Sequence, residues 1–192
     1  MKKSIYLQKI GQIDQSVILK LKKNLEWSFK DFQITVEILS DVIPLTDAEY
    51  NLTRRQYNAS LIMNKLISHI HKKPYFRTLG IMDVDIFSRI LNFIFGIAII
   101  PKKHFLKHQG VALISITRLR EDFYRRPDNP ALVELRILKE AIHELGHTFG
   151  LKHCDNQCIM RFSNHLGETD DKPPNFCKTC SNQLKETFKN IK

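Results

Sequence analysis

Three histidines, a glutamate and a glycine follow one another at fixed spacing in the second half of the chain, in the stretch HELGHTFGLKH at 143–153. Residues four apart on an α-helix are offset by only about 40° around its axis, so His143 and His147 can bind the same metal ion. Gly150 can adopt a left-handed conformation and turn the chain, which would return His153 to that ion. Three imidazole ligands leave the fourth position of a tetrahedral zinc ion open to water, which is the arrangement of a catalytic zinc site.

Glu144 follows His143 directly, so its carboxylate would lie beside the open position of the zinc ion. There it can act as a general base that takes a proton from zinc-bound water, and then as a general acid that passes it to a leaving amine. The pattern predicts a zinc-dependent metallopeptidase that hydrolyses a peptide or protein substrate by Glu-assisted attack of zinc-bound water. The alternative is a catalytically inactive, zinc-stabilised binding module for nucleic acid or an acidic protein. Glu144 favours the peptidase, because binding alone needs no such base.

The four cysteines of the chain all follow this motif, as Cys154, Cys158, Cys177 and Cys180. The last two form a CxxC pair that can hold a metal ion from a tight turn, and four thiolates would complete a structural zinc site. Two disulfides are the alternative, but the N-terminal segment does not have the apolar run of a secretory signal, so we expect reduced thiols. The sequence thus predicts two zinc ions, one catalytic and one structural. The second ion would stabilise a tail that has little core of its own.

The hydrophobic pattern predicts the elements that would position these ligands. Period-two alternation and short apolar runs predict strands near 5–7, 34–38, 79–87, 93–100 and 111–117. Apolar residues three and four apart predict helices over 18–25, 53–70 and 132–149, the last of them ended by Gly150. The fold class that follows is α/β, with a mixed, twisted sheet of about five strands, two large helices, an active-site helix and a zinc-bound C-terminal tail. We expect a single metallopeptidase domain over 1–192, in which 1–150 is an N-terminal subdomain with the active-site helix and 151–192 is a small C-terminal subdomain with the cysteine site.

Composition excludes several other classes of protein. With 43% hydrophobic and 26% charged residues, the 192-residue chain can bury a real core, which excludes wholesale disorder. No apolar stretch reaches the roughly 18 residues that a membrane-spanning helix needs. The net charge of +10 suits nucleic acid, but basic pairs such as Lys22 and Lys23 are scattered and have no stacking aromatics beside them, which favours a solvated surface. We therefore expect a cytoplasmic monomer that acts on a peptide or protein and has no membrane or nucleic-acid partner.

The motif, together with Cys154, Cys158, Met160 and the closing CKTC, resembles the archaemetzincin family of small metallopeptidases. The segments GIMDVDIF, NFIFG and SITRL extend the resemblance upstream over most of the chain. It implies a metzincin-like fold in which the three histidines hold catalytic zinc, the four cysteines hold a second zinc and Glu144 is the catalytic acid and base. It also implies that Met160 belongs to a Met-turn, an apolar floor beneath the histidines, although a lone methionine is more often core filling. One departure is the gap between Cys154 and Cys158, which is three residues long and one shorter than is usual in the family.

The same resemblance implies that 92–99 is an antiparallel edge strand above the zinc ion, with backbone groups free to bind an extended peptide. His165 follows Met160 closely enough in sequence to line the cleft. The other reactive side chains are not expected in the site. Surface or helix-capping roles are expected for His69, His71, His104 and His108. Ion pairs are expected for Asp83, Asp85 and Arg118.

Overall fold

The computed structural model describes residues 3–99 and 109–190. Within those ranges the strands are β1 (Ser4–Ile10), β2 (Thr35–Ile43), β3 (Tyr50–Asn51), β4 (Gln56–Asn58), β5 (Arg77–Met82), β6 (Ile86–Phe87), β7 (Gly96–Ile99) and β8 (Gly110–Ser115). The α-helices are α1 (Gln15–Ser28), α2 (Ala59–Ile70), α3 (Pro130–Thr148), α4 (Leu166–Asp171) and α5 (Lys178–Asn190). The expected end of strand 93–100, together with His104 and His108, lies outside the described residues.

Five strands form one sheet in the order β2-β1-β5-β8-β7. The first four run parallel to one another. β7 lies at the edge and runs antiparallel to β8, with Gly96 opposite Ile114 and Ile99 opposite Val111. The arrangement confirms the predicted mixed sheet of five strands.

Helices cover the sheet on both faces. Leu79 and Ile114 belong to the core that the sheet forms with α1 and α3, whereas Met82 and Leu113 belong to the core that it forms with α2. β5 and β8 are buried along their whole length, which explains why apolar residues fill most of each strand, although β5 begins with Arg77 and Thr78. The three layers confirm the predicted α/β class.

Helix α3 begins and ends at the residues that its sequence favours. The side chain of Asn129 caps its first turn by accepting from the backbone N–H of Leu132, and Pro130 occupies the first helical position. The helix stops before Gly150, whose φ is +92°. Because α3 packs against β7 and β8, its last turns lie beneath the edge strand of the sheet.

Two predicted elements differ from the structure at their boundaries. The helix expected over 53–70 begins only at Ala59, because Asn58 caps it and the preceding residues form a small sheet of β3, β4 and β6. The strand expected over 79–87 is divided, since β5 ends at Met82 and β6 leaves the main sheet to pair with β4. Acidic side chains in the break pair with arginines, with Asp85 bonded twice to Arg118.

The C-terminal helix α5 docks onto the main core. Leu184 and Phe188 are buried in the same apolar cluster as α1 and α3, and the Phe188 ring lies 4.9 Å from that of Phe149, centroid to centroid. In the two described ranges, no helix combines the length and the apolar character that crossing a membrane would require.

Candidate active site

The two motif histidines on α3 face each other across one turn of the helix. The Nε2 atoms of His143 and His147 are 3.1 Å apart. Nδ1 of His143 lies 2.9 Å from the carbonyl oxygen of Ile159, and Nδ1 of His147 lies 2.8 Å from that of Leu151. A carbonyl oxygen can only accept, so each Nδ1 carries the proton and each neutral ring has a lone pair on Nε2.

Gly150 brings the third histidine to the same point. Its N–H donates to the carbonyl of His147, and the N–H of Leu151 donates to that of Gly146, which closes the helix and turns the chain. The His153 ring then lies 5.4 Å from the ring of His143 and 4.8 Å from that of His147, centroid to centroid. One nitrogen from each ring lies within 4.8 Å of the others.

This donor set fits a divalent metal ion. Two nitrogens bound to one tetrahedral zinc ion at about 2.1 Å lie about 3.4 Å apart, close to the 3.1 Å between the Nε2 atoms of His143 and His147. Two lone pairs that face each other at this distance repel unless a cation lies between them. Burial is the largest cause that lowers the pKa of all three histidines, and it lowers that of His143 most. The neutral imidazole favoured in this way is the form that binds a metal.

Glu144 lies in the same cleft as the histidines, with only 6% of its surface exposed. Burial raises the pKa of its carboxyl group well above the usual range, the Glu140 carboxylate raises it further, and the Lys172 ammonium partly offsets both. The edge strand makes room for this side chain by having glycine opposite it. A Cβ atom at Gly96 would lie 2.6 Å from Cγ and 2.8 Å from Oε1 of Glu144.

Met160 lies against the helical turn that carries the histidines. It is fully buried, and a Cβ atom at Gly146 would collide with its sulfur. The carbonyl oxygen of Met160 accepts from the backbone N–H of Cys154 at 3.1 Å. This hydrogen bond ties Met160 to the segment that carries His153. The Met160 side chain forms an apolar support beneath the helix.

An open cleft of about 510 Å³ leads to the histidines and Glu144. Strand β7 and the residues before it form one wall, and Phe162, Ser163 and Asn164 contribute to another. The Phe162 ring lies 4.9 Å from that of His153, centroid to centroid. His165, which lies close enough to Met160 in sequence to have lined the cleft, is not among its lining residues, and its ring instead caps α4 by accepting from the N–H of Glu168.

The four cysteines form a second cluster beside the first. Their sulfur atoms lie within 4.8 Å of one another, and all four thiols are free. The sulfurs of Cys154 and Cys177 are 3.8 Å apart, the separation of about 3.8 Å expected for two thiolates on one zinc ion. A hydrogen bond from the backbone N–H of Cys180 is the main cause that lowers the pKa of Cys177 to about 6. A thiol with such a pKa is readily available as a thiolate ligand.

Sequence reasoning missed a buried ion pair in the cleft. Nζ of Lys172 lies 2.9 Å from Oε1 of Glu140, and both residues line the cleft with His143 and Glu144. Glu140 precedes His143 by three residues, so helical spacing could have placed it on the same face of α3. Nothing in the sequence indicates Lys172, which follows α4 and reaches the cleft only through the tertiary fold.

Known proteins resemble this chain over most of its length. A profile of peptidase family M54 matches residues 37–186. The archaemetzincin of Pyrococcus furiosus is 38% identical in an alignment that covers 97% of this chain and 94% of the relative. The crystal structure of the archaemetzincin from Archaeoglobus fulgidus, complexed with malonate, matches with a TM-score of 0.75 at 33% identity, over 94% of this chain and 99% of that one.

A zinc-dependent peptidase from Methanocorpusculum labreanum matches with a TM-score of 0.77 at 27% identity, over 94% of this chain and 99% of that one. The family profile spans well over half of the chain, and the relative from Pyrococcus furiosus matches almost end to end. The chain therefore belongs to peptidase family M54, the archaemetzincin family of zinc metallopeptidases.

Proposed function

We propose that this chain hydrolyses peptide bonds with a zinc ion held by His143, His147 and His153 and with Glu144 as the acid and base. The observation that carries the proposal is the meeting of two Nε2 lone pairs, 3.1 Å apart, beside a buried carboxylate in an open cleft. A structural zinc site would instead be closed by a fourth protein ligand.

When bound, zinc would polarise the scissile carbonyl and make a water molecule more acidic. The chain supplies the remaining steps. Glu144 accepts the proton of the attacking water at a carboxylate oxygen and delivers it to the nitrogen of the leaving amine. The carbonyls of Ile159 and Leu151 orient the rings of His143 and His147 by accepting from their Nδ1–H groups.

Strand β7 supplies a binding edge for the substrate backbone. In the described part of the chain it pairs with β8 alone, so one row of its backbone N–H and C=O groups is available to an added strand. An extended peptide can bind there by main-chain hydrogen bonds, with the scissile bond held over the histidines. Because Gly96 packs against Glu144, the same strand holds both the peptide and the catalytic carboxylate in place.

We further propose that Cys154, Cys158, Cys177 and Cys180 hold a second, structural zinc ion. The 3.8 Å between the sulfurs of Cys154 and Cys177 and the clustering of all four sulfurs within 4.8 Å of one another support this assignment. Thiolate ligands persist in a reducing compartment, which supports a cytoplasmic location. Residues 1–192 would then form one domain, and this metal ion would stabilise its C-terminal subdomain over 151–192.

The decisive experiment is Glu144→Gln, with zinc content measured by elemental analysis and activity measured on a quenched fluorescent peptide library. We expect unchanged zinc content and a loss of at least about 100-fold in kcat/KM, because general acid and base catalysis contributes at least that much. Glu186→Gln is the matched control, since Glu186 is exposed on α5 and pairs only with Lys189 in the described residues. If cleavage by the Glu144 variant is unaltered, the mechanism is wrong, and the binding-module alternative gains support if the wild-type protein cleaves nothing.

A further inference from the structure

The cleft contains a pair of opposite charges that the proposed peptide hydrolysis does not use. Nζ of Lys172 bonds to Oε1 of Glu140 at 2.9 Å, and their side chains are 1% and 4% exposed. Both residues line the cleft beside His143 and Glu144. Full burial of a lysine is rare and costly unless its charge is paired, as it is here by Glu140. The pair makes this part of the cleft wall polar.

The pair has hydrogen-bonding capacity left over. An ammonium group has three N–H donors, and in the described ranges that of Lys172 bonds to Glu140 alone. Oε1 of Glu140 accepts from Lys172 and, at 3.4 Å, from the hydroxyl of Thr169, whereas Oε2 accepts no hydrogen bond from a described residue. The hydroxyl of Ser163, which also lines the cleft, is buried and has no partner among the described residues. Hydrogen-bond donors on Lys172 and Ser163 and an acceptor on Glu140 are therefore available together to a ligand in the cleft.

Charge decides which side chain suits these groups. The pair is neutral as a whole, so it offers no net charge for a ligand to balance. A charged side chain of either sign would meet a like charge as well as an opposite one at this pair, so its desolvation penalty would not be offset by a net charge. An apolar side chain would cover donors that it cannot pair, and an unpaired buried polar group carries a desolvation penalty. A carboxamide can accept through its oxygen from Lys172 or Ser163 and donate through its NH₂ group to Oε2 of Glu140.

We propose that the cleft selects a carboxamide side chain, glutamine or asparagine, at a substrate position flanking the scissile bond. Lys172, Glu140 and Ser163 are its specificity-determining residues. The inference rests on the proposed peptidase function, and it names the substrate class for that site.

The test uses a peptide series with identical sequences except at one position flanking the cleavage site, occupied by Gln, Leu, Glu or Lys. Leu is the critical comparison because it is close in size to Gln and lacks the polar atoms. We expect kcat/KM for the Gln peptide to exceed that for the Leu peptide by at least about 10-fold, the effect of leaving one buried donor unpaired. Calorimetric binding of the same peptides to zinc-loaded Glu144→Gln protein should give the same order without any cleavage.

The matched variant replaces both charges at once, as Glu140→Leu with Lys172→Met, because removing one partner would leave the other buried and unpaired. We expect the preference for Gln over Leu to disappear or reverse, with zinc content unchanged. Ser163→Ala, which keeps the ion pair, should reduce the preference by a smaller factor, and it serves if the double variant does not fold. The control is Glu49→Leu with Lys65→Met, which removes an ion pair of the same 2.9 Å length that does not line the cleft.

Each outcome has a distinct meaning. Cleavage and binding with equal preference for Gln and Leu, a preference for Glu or Lys, or a Gln preference that survives in both cleft variants would overturn the inference and leave the peptidase proposal standing. Binding that favours Gln in a protein that cleaves no peptide would refute the peptidase proposal while supporting the carboxamide site.

Discussion

Replacement of Gly96 by alanine should damage catalysis without removing zinc. The added Cβ would lie 2.6 Å from Cγ of Glu144 and 2.8 Å from the carbonyl oxygen of Leu113, where ordinary contacts begin at 3.4 Å. The backbone of β8 resists movement because it is paired on both sides in the sheet. The edge strand β7 must therefore shift to relieve the contact with Leu113, and the Glu144 side chain and the new Cβ must separate by about 0.8 Å to reach an ordinary contact.

A displacement of about 1 Å in a catalytic group can reduce the rate by about 100-fold, so we expect a fall in kcat/KM of that order for Gly96→Ala. Overpacking should also lower the free energy of unfolding by about 1–3 kcal/mol. Kinetics on a fluorescent peptide, elemental analysis and urea unfolding measure the three quantities separately. Gly167→Ala is the control, because its Cβ would meet only the His165 ring, at 3.3 Å, and Gly167 does not line the cleft. Activity within a factor of two of wild type, together with the expected loss of stability, would show that Gly96 does not set the position of Glu144.

Two further substitutions test the metal sites. Gly150→Ala should cost about 1–2 kcal/mol from the positive φ alone, because nothing lies within 4 Å of the new Cβ, and we expect it to weaken zinc binding by displacing His153. Competition with a chelator measures that affinity, and a wild-type value would contradict the positioning role of the glycine. Cys177→Ser should reduce the zinc content from two ions toward one and lower the temperature of thermal unfolding, whereas Thr187→Ser on α5, the helix that directly follows Cys177, should change neither. Unchanged zinc content in the cysteine variant, or two disulfides detected by mass in the purified wild-type protein, would refute the structural zinc site.

The histidine cluster could be predicted from sequence because its geometry is local. His143 and His147 are one helical turn apart, and the distance between them follows from the helix itself. Glycine is the only residue type that adopts a φ of +92° without strain. The turn at Gly150 toward His153 is therefore also encoded within a few positions of the sequence. The cysteine cluster was predictable for a different reason. In a reduced protein, four cysteines close in sequence favour a shared metal site over disulfides, so they are expected to lie together.

The cleft could not be predicted in the same way, because it depends on contacts between residues that are distant in sequence. Lys172 reaches Glu140 across 32 positions, and no periodicity links them. The division of the strand expected over 79–87 has a similar origin. Asp83 and Asp85 lie within an apolar run, and only their ion pairs with Arg120 and Arg118 show why β5 ends before them.

The histidine cluster and the cysteine cluster share one segment of backbone, and this segment joins the C-terminal tail to the cleft. His153 and Cys154 are adjacent, so one member of each cluster lies on either side of a single peptide bond. The N–H of Cys154 donates to the carbonyl of Met160, and the carbonyl of Ile159 accepts from Nδ1 of His143. Movement of this segment would therefore displace one histidine and remove the hydrogen bond that orients another. On the proposed assignments, a metal ion held by the cysteines would act on catalysis through this segment without touching the substrate.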